Sequence, residues 1–171
     1  MNNQIFEFIN SLAGRSSSLD SLMILFANDL LYVVIFLSFI LAISLKRRQG
    51  LLNILFTLVI AAIGSVAFKF LFNFQRPFLN QDVNLLITTP SNPSFPSFDT
   101  AIAFAAASVI FLYQRLLGFF TIILAILVGI SRIFVGVHYP GDILAGAFWG
   151  MTAATSSYLL SKRISFNFGG K

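Results

Sequence analysis

Apolar runs near the length of a bilayer crossing, separated by short polar turns, decide what this chain can fold into. The first run extends from about Leu22 to Leu45 and is interrupted by Asn28 and Asp29. Its uncharged part, Leu30 to Leu45, falls short of the ~20 residues of a crossing, so the segment either starts earlier or breaks at Asp29. The second covers Leu51 to about Phe72, with Lys69 near its end; the third runs from Ser97 to Gln114 and Arg115. The fourth extends from Leu116 to about Val135, and the fifth from Pro140, a residue suited to a first helical turn, to Leu160. Ahead of them, Ile5, Phe6, Phe8, Ile9 and Leu12 fall mostly on one side of a helix and Asn3, Glu7 and Asn10 on the other, the pattern of a short amphipathic helix lying on a membrane surface. Gly14–Ser18 reads as a turn, with Ser18 or Asp20 as the cap of the next helix. The expected fold class is all-α, a polytopic membrane helical bundle of about five spans with an N-terminal interfacial helix. By length, residues 1–171 form a single domain.

Composition bears on partners and chemistry. Charged residues are 10% of the chain, against about 25% in soluble proteins, and the mean hydropathy is +0.88. The net charge of +5 is therefore a matter of membrane topology; no basic stripe on a soluble face points to nucleic acid. The absence of cysteine excludes thiol catalysis, disulfides and cysteine metal sites, and one histidine leaves zinc without its usual ligands, so neither metal nor cofactor is expected. Met1–Glu7 lacks the basic flank of a signal peptide, and insertion is expected to rely on the spans themselves. Five spans put Lys69, Arg76, Asp99, Arg132, His138 and Asp142 on one side, and Lys46, Arg47, Arg48, Arg115, Lys162, Arg163 and Lys171 on the other. By the positive-inside rule the second side is cytoplasmic, which places the N-terminus and the titratable cluster outside a cytoplasmic membrane and the C-terminus inside.

Ionisable groups at membrane depth mark function by default. Ser131–Asp142 holds the only histidine, His138, with Arg132 six residues before it and Asp142 four residues after it. Two further clusters, Lys69 with Arg76-Pro77 and Pro96-Ser97 with Asp99, reach the same side. Two arginines, a lysine, a serine and the N–H groups of a helix start suit a tetrahedral dianion. Imidazole can attack phosphorus near neutral pH, and a carboxylate on its other nitrogen would fix the tautomer. Taken singly, these residues have plainer readings. Lys69 and Arg76 fit interfacial snorkelling; Asp142 and Asp99 fit first-turn acids, and Ser97 fits an N-cap.

Together, Lys69-x6-Arg76-Pro77, Pro96-Ser97 and Ser131-Arg132-x5-His138-x3-Asp142 resemble the three-part signature of the type 2 phosphatidic acid phosphatase (PAP2) superfamily, over about residues 69–142. Within it the chain is most similar to small bacterial undecaprenyl-diphosphate phosphatases of the bacitracin-resistance type. The resemblance implies metal-independent hydrolysis of a lipid phosphate or diphosphate through a phosphohistidine. His138 would be the nucleophile, Asp142 its orienting partner, and Lys69, Arg76, Ser97 and Arg132 the phosphate ligands. One departure stands out. The family's second motif usually reads Pro-Ser-Gly-His, and its histidine is thought to protonate the leaving group; here Phe98 and Asp99 fill the last two places. Aspartic acid has a reference pKa of about 3.9. Nearby cations would hold Asp99 ionised and burial would do the opposite, a choice that the sequence leaves open. If Asp99 gives no proton, a lipid diphosphate is the expected substrate, since its departing phosphate (second pKa about 6) leaves more readily than an alkoxide. Another phospholipid phosphatase, acting on phosphatidylglycerol phosphate or phosphatidic acid, and a catalytically weak lipid-binding relative are the alternatives.

Overall fold

The computed structural model describes residues 1–44 and 48–168; of the basic turn expected over residues 46–50, Lys46 and Arg47 lie outside the described residues, as does the terminal Lys171, while residues 48–50 are already helical. Among them the regular structure is entirely helical: α1 (Asn2–Asn10), α2 (Ser17–Asn28), α3 (Leu30–Ser44), α4 (Arg48–Phe72), α5 (Pro77–Asn80), α6 (Phe98–Tyr113), α7 (Arg115–Phe134) and α8 (Pro140–Phe168). Helices α4, α7 and α8 are long and apolar enough to cross a bilayer. The first run does break at Asp29: α2 and α3 meet there at 46° and qualify as a span only as a bent pair. Asp29 lies at the C-cap of α2 and its carbonyl accepts the N–H groups of Tyr32 and Val33, so one residue ends one helix and starts the next. The cap of α2 is Ser16, whose hydroxyl accepts the Leu19 N–H, and not Ser18 or Asp20; Asp20 instead accepts the Gly14 N–H at 3.0 Å.

Helix α6 is the axis of the bundle, packed against α3, α4, α7 and α8. With 16 residues it is shorter than a lipid-exposed crossing, and every residue from Thr100 to Ile110 is buried. Its alanines, among them Ala101, Ala105 and Ala106, are the reason neighbours come so close. A Cβ added to Gly150 of α8 would lie 2.3 Å from the Ala101 carbonyl oxygen. In lipid no hydrophobic force draws helices together, so backbone contact across small residues supplies the packing energy. Large apolar side chains such as Phe36, Phe56, Leu116 and Phe148 are left exposed on the outside, the face a membrane covers. At the end of the bundle away from the titratable cluster, Asn53 of α4 donates to the Tyr113 hydroxyl (3.0 Å) and accepts from Ser157 of α8 (2.7 Å).

Helix α1 forms as expected, with one departure, Asn10 of its polar side. Phe6 and Asn10 are buried, whereas Ile5 and Phe8 are exposed. The Asn10 amide donates to the carbonyls of Phe134 (2.8 Å) and Asn84 (3.0 Å) and accepts the Asn84 N–H (2.9 Å). Phe6 packs on the Tyr139 ring. Satisfied hydrogen bonds to the end of α7 outweigh amphipathic periodicity, and an asparagine expected to face water becomes a buried tie.

Candidate functional site

The spacing Arg132-x5-His138 is made by the way α7 ends. The Val137 N–H bonds the Arg132 carbonyl (3.2 Å) and the Gly136 N–H bonds the Ile133 carbonyl (3.1 Å), the paired bonds of a Schellman ending. Gly136 adopts the positive φ of +87° that this ending demands, and a Cβ there would also crowd the Asn84 carbonyl at 3.1 Å. The turn delivers His138 straight to the start of α8. There Asp142, in the first turn, reaches back so that Oδ2 accepts the Tyr139 N–H (2.9 Å) and lies 3.3 Å from His138 Nδ1. The plain and the functional readings of Asp142 are thus both realised by one oxygen. A carboxylate accepts, so Nδ1 carries the imidazole proton and Nε2 keeps its lone pair. That lone pair faces the Arg76 guanidinium, with NH1 3.4 Å from Nε2. Burial pushes the His138 pKa from 6.5 down to about 4 against the opposing pull of Asp142, so the ring is neutral at physiological pH.

The other expected residues converge on this pair. Arg76, just after α4, is buried and also donates to the Val137 carbonyl. Lys69, in the last turn of α4, donates to the carbonyls of Pro93 and Ser94. Arg132 donates from NH1 to the Ala27 carbonyl (3.1 Å), a group freed where α2 ends, and pairs through NH2 with Asp99 Oδ2 (3.2 Å). Its Nε–H is buried with no partner among the described residues. Lys69 and Arg76 each lie within electrostatic reach of Arg132, Asp99 and Asp142. Ser97 is fully buried at the N-cap position of α6, yet its side chain caps no backbone N–H; its hydroxyl accepts from Thr100 (3.0 Å), and its own N–H donates to the Asp142 carbonyl (3.0 Å). The start of α6 is thereby tied to the start of α8, with its first-turn N–H groups free of a side-chain cap. Phe98 packs against the apolar core.

Three contributors carried no signal in the sequence. Asn92 grips Arg76 twice, through its carbonyl to Nε (3.0 Å) and its side-chain oxygen to NH2 (2.7 Å). Thr100 orients Ser97, and Asn10 ties α1 to the end of α7. Each is a polar residue of ordinary type for a loop or helix, recognisable only by what it touches.

A neutral imidazole whose second nitrogen meets a guanidinium, with two further cations nearby in an all-helical multi-pass bundle, is a class of site suited to an anionic group such as a phosphate. Residues 50–165 match the PAP2 superfamily. The chain belongs to that superfamily and is a membrane lipid phosphatase of the PAP2 type. It is 33% identical over 169 residues to the bacitracin transport permease protein BcrC of Bacillus licheniformis, covering 97% of this chain and 83% of the relative. It is 32% identical over 146 residues to the undecaprenyl-diphosphatase BcrC of Bacillus subtilis (strain 168), covering 84% and 76%. Among crystal structures, LpxE of Aquifex aeolicus superposes with a TM-score of 0.78 at 30% identity, over 92% of this chain and 94% of the other. A transmembrane PAP2 type phosphatidylglycerolphosphate phosphatase from Bacillus subtilis shares the fold, with a TM-score of 0.72 at 23% identity over 95% and 87%.

Proposed function

We propose that this chain, acting as a single catalytic unit, hydrolyses a lipid diphosphate, undecaprenyl diphosphate foremost, to the lipid monophosphate through a phosphohistidine. The observation that carries this reading is His138, with Nδ1 on Asp142 and an unprotonated Nε2 facing Arg76. The terminal phosphate binds between Arg76 and Arg132, with Lys69, Ser97 and the free N–H groups of α6 completing its shell. Arg132 offers its unpartnered Nε–H, Arg76 the remaining N–H of its NH2 group, and the lysine adds a point charge. Nε2 attacks phosphorus, the bridging P–O bond breaks, and its electron pair leaves on the lipid monophosphate. The positive ring then has both nitrogens substituted and is held by Asp142. Water attacks next and releases inorganic phosphate and neutral His138.

The choice of substrate rests on Asp99. It is ion-paired with Arg132 where a proton donor would be needed, and this favours a leaving group that departs without one. The name of the Bacillus subtilis relative, undecaprenyl-diphosphatase BcrC, fits the same substrate. The site faces the extracytoplasmic side in this reading: α7 runs from Arg115 to Arg132, and α8 from Asp142 to the exposed Lys162 and Arg163, so the opposite end is the basic one. A C-terminal reporter protein active only outside the cell would overturn that orientation.

The deciding experiment is phosphate release from undecaprenyl diphosphate by purified protein in detergent with EDTA, beside His138→Ala. Release that survives EDTA and falls by on the order of 10^6-fold in the variant is the expected result. Faster turnover of phosphatidic acid than of the diphosphate would refute the substrate assignment. No release from either protein, with lipid binding retained, would make the chain a lipid-binding relative.

A further inference from the structure

We infer that Asp99 is the general base of the second half-reaction, taking a proton from the water that breaks the phosphohistidine, and not an acid in the first. The inference rests on the phosphohistidine route proposed above. Its first support is the ion pair: Asp99 Oδ2 lies 3.2 Å from Arg132 NH2, and Arg132 is anchored in turn on the Ala27 carbonyl. A carboxylate held this way accepts from the guanidinium through one oxygen and keeps the other to accept from water. The second support is access. The Asp99 side chain is 28% exposed, against 9% for Arg132, 2% for His138 and 6% for Asp142, so it is the charged group of this set that meets water.

The third support is a cavity of about 390 Å³ at the break between α2 and α3, where Asn28, Asp29 and Tyr32 join Asp99 and Arg132 in its wall. It is polar and roomy enough to hold several waters. His138 Nε2 lies against Arg76, whereas this cavity opens beside Arg132. A phosphate gripped between the two guanidiniums meets the imidazole from the side of Arg76 and the water from the side of Arg132. Displacement at phosphorus is in line, so the departing lipid phosphate and the incoming water both use the side away from His138. In the step itself, the water oxygen bonds to phosphorus and the Nε2–P bond breaks. Its electron pair returns to Nε2, and the water's proton passes to Asp99, from which it is lost to the cavity. Asp29 and Tyr32 at the break, Arg132 on α7, and Lys69 and Arg76 at the end of α4 set the field in which Asp99 works.

The test is pre-steady-state, with full-length protein and excess undecaprenyl diphosphate, following lipid monophosphate and inorganic phosphate separately. Asp99→Asn is expected to give a burst of lipid monophosphate approaching one equivalent at close to the wild-type rate. Steady turnover should then fall by about 10²-fold or more, with phosphohistidine accumulating. Hydroxylamine, a nucleophile that needs no base, should restore turnover. Loss of the burst in a variant that still melts at the wild-type temperature would overturn the inference and make Asp99 a first-step group; unchanged turnover would overturn it equally. Should the variant not fold, the wild type decides. Breakdown of the phosphoenzyme must rise with pH to a plateau, and breakdown that falls as pH rises would overturn the assignment. Full activity of His138→Ala without any phosphoenzyme would refute the underlying route and this step with it, a result distinguishable from all the others.

Discussion

The two ends of the bundle both bury polar groups, and they treat them differently. Far from the site, the Asn53 amide, the Tyr113 hydroxyl and the Ser157 hydroxyl answer one another at 2.7–3.0 Å. At the site, the Arg132 Nε–H has no partner among the described residues, and the lone pair of His138 Nε2 is opposed by a guanidinium at 3.4 Å. An unsatisfied buried donor is destabilising by about 1–3 kcal/mol. A chain that closes one network and leaves the other open is holding bonding capacity for something that arrives later. The closed knot serves the fold, and the open cluster is, in the function proposed above, the place for a phosphate.

The sharpest way to break this contrast is Arg132→Gln. Turnover is expected to fall by about 10²–10³-fold, the usual effect of losing one donor to a developing anion, while the melting temperature of the detergent-solubilised protein changes little. A large loss of Tm with normal turnover per folded molecule would show that Arg132 belongs with the structural groups. Asn53→Leu should do the reverse. It strands Ser157 and Tyr113, so stability should drop by about 1–3 kcal/mol, read as a Tm lower by several degrees, with turnover per folded molecule preserved. The last effect concerns pH and is small at neutral pH. The folded state holds the pKa of His138 at about 4, against 6.5 unfolded. Between these values the unfolded chain binds more protons, so stability should be level above about pH 6.5 and fall as pH drops from there towards 4. Melting curves of wild type and His138→Ala across that window check the sign, the variant showing the shallower slope.

How much of this was legible in the sequence depends on how local each device is. Arg132, His138 and Asp142 sit within one turn-and-helix unit, and Pro140 beside Asp142 already marks the helix start and its first-turn acid. The break of the first span could be read from Asn28-Asp29, because two adjacent polar residues, one of them charged, disfavour an unbroken helix inside an apolar run. The convergence of Lys69, Arg76, Ser97 and Arg132 on one side came from span parity. The ties between distant segments could not be read. Asn92 on Arg76, Asn10 on Phe134, and Ala27 and Asp99 on Arg132 are hydrogen bonds across up to 124 residues of chain, and no local pattern sets them apart from ordinary polar residues. The burial of Asn10 on α1 was hidden for the same reason: periodicity weighs apolar area, and Asn10 is turned inward by specific bonds. The role open to Asp99 depended on its partner, which only the fold supplies.

The shortness of α6 has a last consequence. At 1.5 Å per residue its 16 residues span about 24 Å, less than the roughly 30 Å of bilayer hydrocarbon. The site at its N-terminal end is enclosed by the longer helices, with Arg76, Arg132, His138 and Asp142 all buried. A substrate must dip its phosphate into the protein while its tail stays in the leaflet. The enzyme thus samples a two-dimensional reservoir, and its velocity should follow the mole fraction of substrate in the bilayer or micelle. Diluting the protein and its membrane together with water would leave each molecule's turnover unchanged, whereas adding inert lipid would slow it.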